Sequence, residues 1–202
     1  MPTEGKSRII EATRRVISRS GIAAATMRAI ANEADLSTGA IYHYYKNKEE
    51  ILYDVMDESL SVSSRIAEET KQGGHSREEI IEEIYLNIIS RLSKTDENRL
   101  QLYLSKEAVQ GNSELKEKFQ DKYKEWIGKT EELMQYLYGE QPTRRSKALA
   151  TLLIGAIDGV AMQLLLGANQ AEVEEIAEVY HELLKEGIPK FLVQLSASPL
   201  KP

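Results

Sequence analysis

The sequence predicts an all-α protein, and three observations carry that prediction. Apolar residues recur at intervals of three and four along nearly the whole chain, and the strict alternation of a half-buried strand is absent. Helix-starting residues (Thr26, Ser37, Asn47, Ser76, Ser113) stand just ahead of the periodic stretches, and glycines such as Gly21 and Gly111 stand just behind them. The 202 residues are 42% hydrophobic and 29% charged, a globular rather than a disordered mixture.

Each element follows from its own pattern. Lys6 to Arg19 sets Ile9, Thr13, Val16, Ile17 and Ser20 on one side and Arg8, Arg15 and Arg19 elsewhere. Gly21 ends this helix, and Thr26 caps the next, over about Met27 to Ala34, which buries Met27, Ile30, Ala31 and Ala34. Ser37 caps a short helix to about Tyr45. Asn47, with Glu50 three residues on, starts another that keeps its spacing through Ile51, Leu52, Val55, Met56, Leu60 and Ile66. "QGGHS" breaks the chain, and Ser76 with Glu79 forms a capping-box pattern before Ile80, Ile84, Ile88 and Leu92. "SKTDEN" reads as a second break, followed by a helix from Leu100 to Val109. Ser113 opens a long helix, "YGEQPT" is a loop, and the most apolar helix runs from about Arg144 to Leu166. The last helix spans about Ala171 to Glu186, where "GIP" kinks or ends it and "KFLVQL" adds a turn or two. That makes about nine helices, without internal repeats.

Composition also excludes. With no cysteine there are no disulfides and no thiolate chemistry, which fits a cytoplasmic location. No N-terminal apolar run reads as a signal peptide, and the longest apolar stretch holds Asp158 and Gln163, so no membrane partner is expected. His43, His75 and His181 are scattered and not at ligand spacing. No phosphate loop, nucleophile elbow or catalytic grouping is visible, so neither a metal, a cofactor nor an enzyme activity is expected. The net charge of −6 hides an asymmetry: residues 1–48 carry eight basic and four acidic side chains, and the remainder carries −10. That distribution predicts a basic module facing a polyanion.

Within the basic module, "DLS" joins two short helices too tightly for two independent core helices. This is helix-turn-helix spacing, whose second helix can enter the major groove of B-DNA. At about 100° per residue, Ile41 and Tyr45 share the core side, Tyr42 and Tyr44 lie on the flanks, and His43 points away. Thr38, Gly39 and Ala40 make a small tip that permits close approach to DNA. The hydroxyls of Thr26, Ser37, Thr38 and Tyr42 can donate to phosphate oxygens, and Lys48 adds charge. Arg28 can reach a guanine edge bidentately.

The stretch "TMRAIANEADLSTGAIYHYYKNKEEIL" resembles the DNA-binding signature of the TetR family of bacterial transcriptional regulators. It matches in Thr26, Arg28, Ile30-Ala31, Ser37, Gly39, Ile41-Tyr42, Tyr45-Lys46, Lys48 and Glu49. The resemblance implies phosphate contacts from Thr26, Tyr42 and Lys48. It implies base or mixed contacts from Arg28, Thr38, Gly39, Ala40, His43 and Tyr44. Two residues depart from the pattern. Asp35 replaces a glycine expected in a left-handed turn, and Tyr45 replaces a phenylalanine, so its hydroxyl must find a partner.

For the rest of the chain the resemblance implies an effector-binding and dimerisation domain. The division expected is a DNA-binding domain over 1–48, a linker helix from 48 to about 71, and an effector and dimer domain over 49–202. The small residues of the apolar helix and the stripe on the last helix nominate a homodimer interface of Leu152, Ala156, Gly159, Val160, Gln163, Val173, Ile176, Tyr180 and Leu184. Residue type nominates Tyr85, Tyr103, Leu104, Phe119, Tyr123, Trp126, Met134 and Met162 as walls for a small amphipathic effector. Asp158, inside the apolar helix, must be paired, face water or line a cavity. The expected function is a dimeric repressor released from a near-palindromic operator by a small molecule. The alternative is a small-molecule sensor or carrier whose three-helix unit docks a protein.

Overall fold

The computed structural model describes residues 4–60, 66–67, 70, 73–139 and 144–197. Among them every regular element is helical: α1 (Glu4–Ser20), a 3₁₀ turn (Ile22–Ala24), α2 (Met27–Glu33), α3 (Thr38–Tyr44), α4 (Lys48–Leu60), α5 (Arg77–Ser93), α6 (Thr95–Val109), α7 (Ser113–Tyr138), α8 (Arg144–Leu166), α9 (Val173–Glu182) and α10 (Ile188–Ala197). A π turn over Leu183–Gly187 joins α9 and α10 into one unbroken run, so the described residues hold nine helices, as the periodicity predicts.

The chain forms two compact units, one of residues 1–61 with 95–120, the other of 62–94 with 121–202. The first is therefore not a contiguous segment: α6 and the start of α7 belong with α1–α4. In it, α1 packs on α2 and α4, α2 on α3, and α4 on α6. Ile9, Ala12, Thr13, Ile30, Ile41, Ile51, Leu52, Met56 and Leu104 are wholly buried. Helix α1 buries a broader face than its strictest spacing suggests, adding Ile10 and Ala12, while Ser20 is exposed. In the second unit Ile80, Ile81, Met134, Leu137, Ala150, Leu153, Leu184 and Ile188 make one core cluster. Ile88, Leu92, Ala161 and Ala177 make another.

Capping explains most boundaries. Thr26 Oγ1 accepts from Ala29 N at 3.1 Å, and Ser37 Oγ from Ala40 N at 3.1 Å. Asn47 Oδ1 accepts from Glu50 N at 2.9 Å, but the Glu50 carboxylate accepts in return from Lys46 N, at 2.7 Å, rather than from Asn47 N. The Ser76–Glu79 box is reciprocal. Helix α7 is capped by Asn112, whose Oδ1 accepts from Leu115 N at 3.1 Å, one residue earlier than Ser113.

Two boundaries differ from expectation. "TDEN" is the first turn of α6 rather than a break; Asp96 and Glu97 complement the positive helix start, a favourable placement that composition alone disguises as a charged loop. "GIP" does not end the last helix. Pro189 lacks an N–H, and the wider π turn just before it absorbs the missing hydrogen bond, so α10 continues to Ala197. The continuation of α4 toward Ile66 and most of "YGEQPT" lie outside the described residues.

Candidate nucleic-acid interface

The turn between α2 and α3 is fixed by its hydrogen bonds. Leu36 N donates to Ala31 O at 3.0 Å and Asp35 N to Asn32 O at 3.3 Å. This is the paired closure of a helix ending on a left-handed residue. That residue is Asp35, with φ of 52°. The carbonyl of Ala34, otherwise left over at the helix end, accepts from Arg8 Nη2 at 2.7 Å. Helix α1 thus holds the turn from below, and α3 leaves it at a defined angle.

Helix α3 divides by face. Ile41 is 0% and Tyr45 3% exposed. The Tyr45 hydroxyl donates to Asp54 Oδ2 at 2.9 Å, and Lys6 Nζ lies 5.0 Å from its ring centre. Burial, aided by the Asp54 carboxylate, pushes the phenol well above its ordinary pKa, so it stays neutral. Thr26, Arg28, Ser37, Thr38, Gly39, Tyr42, His43 and Tyr44 are all exposed, and Ala40 is half-exposed. Gly39 has only Ser37 Oγ near the direction of a side chain, at 3.8 Å. Tyr44 leans on the start of α1: a Cβ on Gly5 would stand 2.5 Å from its hydroxyl. Its other neighbour is His43, ring edge to ring face at 5.4 Å between centres. Lys48 is half-buried, its Nζ 5.6 Å from the Tyr103 ring centre and 3.9 Å from Glu49 Oε1.

The basic charge of this segment is mostly spent within the chain. Arg15 and Arg19 both pair with Glu33, at 2.7 and 2.8 Å, and their hydrogen bonds hold that carboxyl below its usual range. Arg14 bonds Ser59 Oγ at 2.5 Å and stands 3.3 Å from Glu58. Lys6 pairs with Asp54, and Lys46 lies 3.9–4.0 Å from Glu50 and Glu114. Arg28 is exposed and makes no hydrogen bond or ion pair among the described residues. The charge count therefore overstated the field available to a polyanion, and the count by position isolates Arg28. Gly5, Asp54 and Tyr103, which support Tyr44, Tyr45 and Lys48, carried no readable signal, because each acts across 9 to 55 residues of chain.

The nominated effector walls fall into both units. Tyr103, Leu104 and Phe119 belong to the first, where Leu104 is core and Phe119 packs edge-on to Tyr53 at 5.8 Å. Tyr85, Tyr123, Trp126, Met134 and Met162 belong to the second, where Met134 is core and Met162 is exposed. Tyr123 and Trp126 touch, and Tyr85 packs on His181. The nominated interface divides by helix. On α8, Leu152, Ala156, Gly159 and Gln163 are exposed and Val160 half-buried. On the last helix, Leu184 is 4% exposed and belongs to the subunit's own core, with Val173, Ile176 and Tyr180 packed inward. The large apolar residues facing outward there are Val179, Leu183, Phe191 and Val193, all exposed. That helix has apolar residues on two sides, and spacing alone does not say which side the subunit keeps.

An N-capped helix pair braced by a third helix, with a small-tipped polar face left outside, defines a helix-turn-helix protein. Residues 9–55 match the sequence model of the bacterial regulatory proteins of the tetR family. It is 40% identical over 73 residues to the HTH-type transcriptional regulator BetI of Vibrio campbellii (strain ATCC BAA-1116), covering 36% of this chain and 37% of that one. The match thus spans little more than a third of that relative's length. With the fatty acid metabolism regulator protein of Bacillus subtilis (strain 168) it shares 26% identity over 89% of this chain and 93% of the other. A putative transcriptional regulator from Saccharomonospora viridis, solved in complex with choline, has the same fold at a TM-score of 0.69 and 18% identity, over 92% of this chain and 97% of that one.

Proposed function

We propose that the protein is a dimeric transcriptional repressor that binds a near-palindromic operator through α3 and releases it when a small amphipathic molecule binds. The observation that carries this reading is the division of α3. Its inner residues are locked into a three-helix core, and its outer residues are left polar, aromatic and solvent-facing at a capped helix start. Backbone N–H groups and positive dipole ends at α2 and α3 favour phosphate, with Thr26, Tyr42 and Lys48 as phosphate contacts. Arg28, Thr38, Gly39, Ala40, His43 and Tyr44 take the base-facing positions.

Dimerisation is supported by α8. Leu152, Gly155, Ala156, Gly159, Met162, Gln163 and Leu166 form one exposed stripe. Its length and composition would also let α8 cross a membrane. Against that use, another side of α8 packs on α5, and Asp158, at the edge of the stripe, forms an ion pair with Arg91. A second copy is the natural cover, joined by Val179 and Leu183. A dimer with two α3 helices asks for a near-palindromic site. A ligand that binds the DNA-incompetent state more tightly then empties the operator. The choline found with the S. viridis regulator supports a small organic effector without fixing its chemistry.

The test is duplex binding across a salt series, with genomic fragments selected by the protein. Binding that falls steeply and linearly in log affinity against log salt, as displacement of several counterions requires, is the expected result. Absence of salt-sensitive binding to any fragment overturns the reading in favour of a protein-docking three-helix unit.

A further inference from the structure

The last helix crosses Pro189 without breaking, and the crossing leaves two carbonyls in need of donors. In the π turn Ile188 N donates to Leu183 O, so Leu184 O loses its α-helical donor, and Pro189 has no N–H to replace it. Lys185 O loses the α-helical donor that residue 189 would otherwise supply. Side chains from two other helices take up both carbonyls. The Tyr138 hydroxyl of α7 donates to Leu184 O at 2.7 Å, and Arg77 Nη2 of α5 donates to Lys185 O at 2.9 Å. The Arg77 guanidinium also lies 5.3 Å from the centre of the Tyr138 ring. Two neighbouring helices therefore hold the turn in its π form.

That form sets which residues face outward. In an uninterrupted α-helix, residues eight apart stand about 80° from one another. The wider turn takes up most of that angle. On the inner side Leu184, Ile188 and Leu192, spaced by four, are all buried in one cluster with Leu149 and Leu153 of α8. On the outer side Leu183, Gly187 and Phe191 repeat this spacing one residue earlier, with Leu183 43% and Phe191 46% exposed. A Cβ on Gly187 would stand 2.7 Å from Leu183 Cδ1, so the glycine leaves room for that side chain along the line. Val193, also exposed, stands off the line, about 200° round α10 from Phe191. Leu152 of the exposed α8 stripe adjoins Leu153 of the shared cluster, so the stripe and this line border one core. We propose that Tyr138 and Arg77 are positioning residues for self-association. By holding the π turn they align Val179, Leu183 and Phe191 into one apolar ridge, which a second copy of this chain covers together with the α8 stripe. This rests on the dimer of the reading above and names residues that shape its interface.

Sedimentation of the full-length protein and its variants measures the dissociation constant, with circular dichroism for helix content. Phe191→Ser is expected to raise the constant at least about ten-fold, since a two-fold interface loses the ring twice. Val193→Ser, off the ridge, is expected to change it by no more than about two-fold. Tyr138→Phe combined with Pro189→Ala removes the hydroxyl and restores the N–H, which returns the helix to α-helical register. Association of this double variant is expected to weaken at least about ten-fold while helix content holds. Adding Phe191→Ser to it is expected to cost less than about two-fold more, because the ring has already left the ridge. Tyr138→Phe alone takes its place if the double variant does not fold. An unchanged constant in Phe191→Ser, an equal loss in Val193→Ser, or full association of the folded double variant overturns the assignment. Gly159→Leu on α8 separates the two readings. A dimer broken there but indifferent to Phe191 and Tyr138 keeps dimerisation and rejects the ridge. A monomer at micromolar concentration rejects both.

Discussion

Arg28 and Lys48 are both cations beside α3, yet they are held differently, and their loss should read differently. Arg28 is exposed and without a partner among the described residues, which leaves its five donors for a base edge. Arg28→Ala is expected to cost about 1–3 kcal/mol on the preferred sequence and to flatten the preference between sequences. Lys48 is placed in advance by the Tyr103 ring and Glu49. Lys48→Ala is expected to weaken all duplexes alike and to lower the salt slope by about one. Anisotropy titrations of selected and scrambled duplexes over salt measure both, and an unchanged slope removes Lys48 from the phosphate contacts. A second residue-scale consequence concerns alkaline stability. Burial pushes the Tyr138 hydroxyl up to about 12, opposed by Arg77, while that hydroxyl donates to Leu184 O at 2.7 Å. Free tyrosine ionises near pH 10, so between about 10 and 12 the unfolded chain releases a proton the native chain keeps. Stability should therefore be full below about pH 10 and fall as pH rises through that window. Guanidinium melts at pH 8, 10 and 11 should show this, with a shallower fall in Tyr138→Phe. That Tyr45 needs a hydrogen-bond partner is legible in the sequence, since a phenol in a small core cannot go unpaired. That the partner is Asp54 is not, because which face of α4 meets α3 is set by packing.

Among the elements, the turn at Asp35 is the most exacting, because a side chain is carried at φ of 52°. Left-handed backbone costs most residues about 1–2 kcal/mol and asparagine or aspartate less. Asp35→Ala should lower the unfolding free energy by about 1 kcal/mol, whereas Asp35→Gly should leave it equal or raise it. Urea denaturation of the two variants tests this, and equal losses in both would mean that the aspartate side chain, not the backbone, matters there. Helix starts were legible because a cap is a local event: the Thr26, Ser37, Asn47 and Ser76 side chains accept from backbone N–H groups three residues away. Two ends were less so. The acidic opening of α6 resembles a loop in composition, and a proline on the far side of a π turn resembles a stop.

At the scale of the molecule, the exposed stripe of α8 makes the sharpest claim. Gly159 has no atom within 4 Å of where a Cβ would stand in its own subunit. Gly159→Leu should therefore leave the subunit as stable or slightly more so, through better helix propensity. It should also weaken dimerisation at least about a hundred-fold if a second helix packs there. Sedimentation across micromolar concentrations, with a thermal melt beside it, measures the two effects. A variant that stays dimeric would place the interface elsewhere. By itself the sequence determined the all-helical class, the helix starts and the inner and outer faces of α3, because periodicity and capping act within a turn or two of chain. Only the tertiary structure decided which of two apolar sides the last helix keeps, which basic residues are already paired, and that Arg91, Tyr123 and Asp158 meet. Those outcomes depend on contacts between residues far apart in sequence, and nothing in a local pattern encodes which distant partner a side chain will find.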